Sequence, residues 1–230
     1  GVVFKKLTGK DASILIDRPL FPSIKLIILK ILSPVDVLVT APDGKKIGKD
    51  FVTNQEINEI ENAFYSGFLT DNEYITIPDP LDGEYQIQTQ GTGSGGPYTI
   101  ALGYITDATS TEVEFNGETA PGVVGSVDFS FASSTPEDLG FNITAKDIIQ
   151  DVEMAYNLGW IKKKSVKKKL IEELEEILED EDEEDDDDEE EKIKNLKKFL
   201  RILEKEHPKN INDQAYNLLK EDLEWLLGNS

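Results

Sequence analysis

The sequence predicts a two-domain chain, an antiparallel Ig-like β-sandwich over residues 1–138 followed by an antiparallel four-helix bundle over residues 139–230. Three observations predict it. From Ser13 to Phe131 the apolar residues are mostly β-branched or aromatic, and they come in short runs broken by Gly, Pro, Asn and Asp, the texture of strands and turns. At Ser133–Leu139 this gives way, through a polar Ser-Ser-Thr-Pro-Glu-Asp, to apolar residues recurring every three or four positions. Four such stretches then follow with short links, which favours antiparallel neighbours.

Strands are predicted at Ile24–Leu32, Val35–Thr40, Glu73–Ile77, Glu84–Thr89, Tyr98–Thr106, Thr111–Phe115 and Val123–Phe131. Tyr85, Ile87 and Thr89 fall on one face by alternation, as do Val127, Phe129 and Phe131. Pro42-Asp43-Gly44 and Leu81-Asp82-Gly83 supply turns, because Gly accepts positive φ and Asp bonds its local backbone. Gly91-Thr92-Gly93-Ser94-Gly95-Gly96 fits a dinucleotide-binding pattern, but a strand-like Tyr98–Leu102 follows it instead of a helix. It is therefore read as a hairpin loop.

Thr144 is placed to cap the first helix, with Asp147 reciprocating, and Ile148, Val152, Ala155 and Tyr156 form that helix's stripe up to Gly159. The second stripe is Val166, Leu170, Leu174, Ile177 and Leu178. The third is Ile193, Leu196, Phe199, Leu200 and Leu203, stopped at His207-Pro208. The fourth runs from Ile211 through Ala215, Leu219, Leu223 and Leu226 to Gly228.

The net charge is −22, which opposes binding to nucleic-acid phosphates. Residues 1–138 carry 9 basic and 20 acidic side chains and residues 139–230 carry 15 and 26, so each half stands at −11. In the second half the excess comes from Glu179–Glu191, thirteen consecutive acids expected to form a solvated link between the second and third helices. With no Cys, disulfides, thiolate metal sites and a cysteine nucleophile are excluded. The apolar stretch Ile24–Leu32 is too short to cross a membrane and contains Lys25 and Lys30, so no membrane insertion is expected. The opening Gly1-Val2-Val3-Phe4, without a start Met or a leader pattern, reads as a processed or excised end.

Candidate chemistry is sparse. His207 is the one histidine, no Gly-x-Ser-x-Gly elbow surrounds a serine, and the acidic pair Glu112 and Glu114 reads as solvated surface, so no catalytic site is expected. Asp43, Asp50, Asn54 and Glu56 gather hard oxygen ligands in one turn-rich segment and form the candidate calcium site. Lys162, Lys163, Lys164, Lys167, Lys168 and Lys169 crowd the start of the second helix, where the helix dipole disfavours cations. That placement suits contact with an anionic wall polymer or with a neighbouring molecule's acidic run.

Ser33–Thr40, Pro42-Asp43-Gly44, Ile47-Gly48, Asn58-Glu59-Ile60, Ala63–Gly67 and Tyr74–Pro78 together resemble a β module from C-terminal parts of large secreted bacterial and archaeal proteins, lipase-like hydrolases among them. Asp147-Ile148-Ile149, Gly159-Trp160-Ile161, Leu196, Phe199-Leu200, Ala215 and Leu218-Leu219 resemble the FIMAH domain, a small helical module of extracellular bacterial proteins. The resemblance implies a place outside the cell and brings no catalytic residues with it. The expectation is a non-enzymatic extracellular or cell-surface module for binding, adhesion or assembly, partnered by protein, an anionic cell-wall polymer or its own copies. A subunit of an extracellular filament or surface layer, with the apolar N-terminal segment pairing to a neighbour, is the first alternative. A C-terminal fragment of a secreted hydrolase is the second.

Overall fold

The computed structural model describes the backbone of residues 24–180 and 188–228, and the side chains of 24–178 and 192–228. The N-terminal segment invoked for pairing and the middle of the acidic run lie outside the described residues. Two antiparallel sheets are followed by four helices. The strands are β1 (Lys25–Leu32), β2 (Val35–Thr40), β3 (Lys46–Asp50), β4 (Gln55–Asn58), β5 (Phe64–Tyr65), β6 (Asn72–Pro78), β7 (Gly83–Gly91), β8 (Gly96–Thr106), β9 (Ser110–Thr119), β10 (Val124–Phe131) and β11 (Gly140–Asn142). The helices are α1 (Ala145–Asn157), α2 (Lys164–Asp180), α3 (Asp188–Glu206) and α4 (Asp213–Gly228).

One sheet has the order β5-β6-β1-β8-β9 and the other β11-β10-β7-β2-β3-β4. Alternation decides what each strand buries. Ile27, Leu29 and Ile31 from β1, Val35, Val37 and Val39 from β2, and Tyr85 and Ile87 from β7 all turn into one apolar core shared by both sheets. Each such side chain contributes about 1.5–3 kcal/mol on burial. Tyr85 stacks on Phe129 of β10 with ring centres 4.9 Å apart, so the aromatic pair adds geometry to that burial.

The chain changes sheets repeatedly, and this corrects one expectation. The glycine-rich segment after β7 is not a hairpin loop, since β7 and β8 belong to different sheets and Thr92–Gly95 carries the chain from one to the other. The glycines are needed by close approach. A Cβ on Gly91 would strike the Ala120 carbonyl oxygen, and Gly95, at φ +71°, lies against the Thr119–Ala120 backbone.

Thr144 caps α1 as its sequence predicts. The Asp147 backbone N–H donates to Thr144 Oγ1 at 3.3 Å and the Thr144 N–H donates to Asp147 Oδ2 at 2.9 Å, satisfying two orphan groups at once. Apolar stripes from all four helices meet in a second core of Ile148, Val152, Leu170, Leu174, Leu196, Phe199, Leu219, Leu223 and others. The links α1–α2 and α3–α4 pair with each other. Ile161 bridges Ile211, the Lys162 N–H donates to the Asn210 carbonyl at 2.8 Å, and the Asn212 N–H donates to the Trp160 carbonyl at 3.0 Å.

The helices sit against the β part through α4 and β9. β11 joins β10 in the sheet and brings Phe141 between Phe115 of β9, at 5.6 Å, and Trp225 of α4, at 6.2 Å edge-on. No helix among the described residues is long and apolar enough to cross a membrane.

Candidate functional site

The structure sets Asp43 apart from the other three residues of the candidate calcium site. Asp43 lies in the β2–β3 turn, paired with Lys45 at 2.9 Å, and that lysine's ammonium and backbone N–H hold its carboxyl below the usual range. Asp50 stands at the far end of β3, about 13 Å of strand away. There its carboxylate accepts from the Val52 N–H and the Thr53 hydroxyl, both at 2.8 Å, and folds the β3–β4 turn, which lowers its pKa. Asn54 closes the same turn in the left-handed region at φ +54°, and its N–H donates to the Asp50 carbonyl. Glu56 lies opposite Lys49 in the β3–β4 ladder. Asp50 and Asn54 are therefore together as turn formers, while Asp43 is apart. Among the described residues no group of three or more His, Cys, Asp or Glu side chains is arranged for a metal ion.

The lysine cluster converges on one end of the helical part. Lys162 and Lys163 precede α2 and Lys164 begins it, all three exposed. Because the two links are paired, Lys209 arrives at the same end, and Lys162 Nζ donates to its carbonyl at 3.4 Å. Lys167 is partnered by Glu153 at 2.5 Å and lies over the Tyr156 ring, and Lys168 by Glu172 at 2.6 Å. Lys163, Lys164 and Lys169 have no ion pair among the described residues. His207 contacts Asp213 at 2.8 Å and stacks on Tyr216, a role at the helix end.

Two buried acidic groups went unnoticed in the sequence. In the β part, Glu73 of β6 is 1% exposed, with its Oε2 accepting from the Tyr65 hydroxyl at 2.7 Å and from the Val37 N–H at 3.3 Å. Burial pushes its carboxyl up to about 8, and the neighbouring Asp36 carboxyl acts in the same direction. Asp36 of β2, itself 6% exposed, accepts from Lys49 Nζ at 2.6 Å, and that ammonium also lies 5.0 Å from the centre of the Phe68 ring. Four strands thus build one cluster from Asp36, Lys49, Glu73 and Tyr65. The available signal was phase, since Glu73 takes the inward position that continues into Ile75 and Ile77. In the helical part, Asp151 and Asp222 form a carboxyl pair between α1 and α4. Asp222 shares the buried face of Leu219, Leu223 and Leu226.

Compared with protein families, curated proteins and solved structures, the chain shows no match.

Proposed function

We propose that this chain is a non-catalytic accessory module working outside the cell, at or near its surface. In this reading the two-sheet part is an Ig-like sandwich serving as a rigid spacer, and the helical part is a four-helix bundle that makes the contact. The observation that carries it is the lysine end. Exposed Lys162, Lys163 and Lys164, with Lys209 beside them, concentrate positive charge on a chain of net charge −22, and the start of α2 adds its positive dipole end. Such a patch is costly for folding and well suited to an anionic polymer. The resemblance of the helical part to the FIMAH domain fits the same setting.

The test is binding to an immobilised wall teichoic acid, read against salt. Wild type should bind at low ionic strength and release as salt rises, because exposed charges are screened over about 8 Å at physiological ionic strength. A Lys162→Glu, Lys163→Glu, Lys164→Glu variant should lose at least tenfold in affinity. No binding by the wild type, or equal binding by the variant, overturns the reading. Salt-sensitive self-association without polymer binding would give the lysines to the acidic run of a second copy.

A further inference from the structure

The register of β2 and β3 explains how Lys49 comes to Asp36. Their ladder runs through Thr40↔Lys46 and Val39↔Ile47 and ends at Leu38↔Gly48. Gly48 sits at φ +130°, and a Cβ there would strike the Val37 carbonyl oxygen and crowd Leu38 Cα. There β3 leaves β2, and Lys49 and Asp50 pair only with β4. The gap is filled by side chains. Glu73 reaches across from the other sheet to take the Val37 N–H, and Lys49 Nζ returns to Asp36 Oδ2. Both partners are nearly closed to water, the Lys49 and Asp36 side chains being 12% and 9% exposed.

We propose that Lys49 and Asp36 become joined by an intramolecular isopeptide bond, with Glu73 relaying the protons. Amide formation between an ammonium and a carboxylate releases one water and leaves no net charge, so it needs no oxidant, reductant or activated donor. At 2.6 Å from Oδ2, the amine nitrogen is within one further bond length of Cγ. Holding two reacting groups in this way removes the entropy cost of a bimolecular step. A water-poor site also favours the neutral product over the ion pair.

The protons balance through Glu73. A Lys49 proton passes to Asp36, giving a free amine and a carboxylic acid. As Nζ attacks Cγ, the protonated Glu73 carboxyl gives its proton to the developing oxyanion, then accepts one from the new C–N nitrogen. It hands that proton to the departing hydroxyl, the C–O bond breaks, and water leaves. As the C=O bond re-forms, Glu73 takes back the proton it had placed on the oxyanion, and it ends protonated as it began. Its raised pKa means that it holds a proton at neutral pH. The Tyr65 hydroxyl and Val37 N–H fix its Oε2, which leaves Oε1, without another partner, to serve the relay.

The cross-link is independent of what the lysine end binds, and intact mass under denaturing conditions tests it on the full chain. Wild type should be lighter than its sequence by one water. Tryptic peptides should show Lys49 uncut and its peptide joined to the one between Lys30 and Lys45. Lys49→Arg and Asp36→Ala should have their full sequence masses. Glu73→Gln, which keeps an acceptor for Val37 N–H, should fold by far-UV spectrum yet stay unlinked. A wild type at full mass, with Lys49 cut normally, overturns the proposal. So does water loss mapped to a cyclic imide at Asp43-Gly44 or Asp82-Gly83. A folded, cross-linked Glu73→Gln would remove Glu73 from the relay.

Discussion

Asp151 on α1 and Asp222 on α4 form a close carboxyl pair inside the helical part, with Asp222 only 2% exposed and its Oδ2 without a hydrogen-bond partner. Two carboxylates at such range cannot both be ionised, so the pair retains a proton. Burial is the main cause of the raised pKa values. Asp147 adds repulsion to both acids and Glu221 to Asp222.

The sign of the pH effect follows. An acid whose folded-state pKa is raised contributes its full stability below the unfolded value, about 3.9 for Asp, and loses it as pH rises through the folded value. The fold should therefore weaken between about pH 5 and about pH 8 by about 1.4 kcal/mol per unit of retained shift. Asp222→Asn keeps a hydrogen-bonding group and removes the charge, so its stability should depend less on pH than that of the wild type. Urea unfolding at both values isolates the pair from the general −22 charge. An identical pH slope in variant and wild type would show that the pair does not carry the effect.

Trp225 is half-buried and joins the two parts edge-on to Phe141 at 6.2 Å. Removing the ring in Trp225→Ala should cost about 2 kcal/mol, below the range for a fully buried aromatic. The loss is concentrated at the α4–β9 contact, so calorimetry should resolve helix melting from sheet melting. A single unbroken transition in the variant would mean that coupling runs mainly through β11.

Asp50 acts through its own turn. Asp50→Ala removes acceptors from the Val52 N–H and the Thr53 hydroxyl, so the variant should melt at a somewhat lower temperature than the wild type. Melting of the wild type should be the same with calcium and with chelator. A calcium-dependent rise that Asp50→Ala abolishes would instead establish an ion at this turn.

What the sequence made legible follows from where the physics is local. The strands Val35–Thr40 and Gly83–Gly91 were readable because inward residues alternate, and Thr144 with Asp147 because a capping box spans three positions. β3, reading Lys-Ile-Gly-Lys-Asp, hid its strand behind charge, since Ile47 alone enters the core. β11 is three residues long and lies between the polar Ser133–Leu139 boundary and the Thr144 cap, where no predicted element falls. The lysine end was visible as a contiguous run. The Asp36, Lys49, Glu73 and Tyr65 cluster was not, because only strand register and sheet packing bring those positions together.

Gly117 shows how a position without apparent pattern is fixed by packing. It lies on β9 opposite Tyr98 of β8, and a Cβ there would overlap the Tyr98 ring at Cζ and its hydroxyl. Tyr98 cannot give way easily. Its ring leans on Phe115 at 6.2 Å, and burial pushes its phenol well above the ordinary pKa. Gly117→Ala must therefore displace a buried aromatic or bend β9, costing about 1–3 kcal/mol as overpacking does. Tyr98→Phe in the same background should recover little, since the ring edge at Cε1 is overlapped as well as the hydroxyl. Tyr98→Leu, lacking that edge, should recover more, and chemical denaturation of the three variants orders them. Wild-type stability in Gly117→Ala alone would show that the β8–β9 hairpin yields without cost.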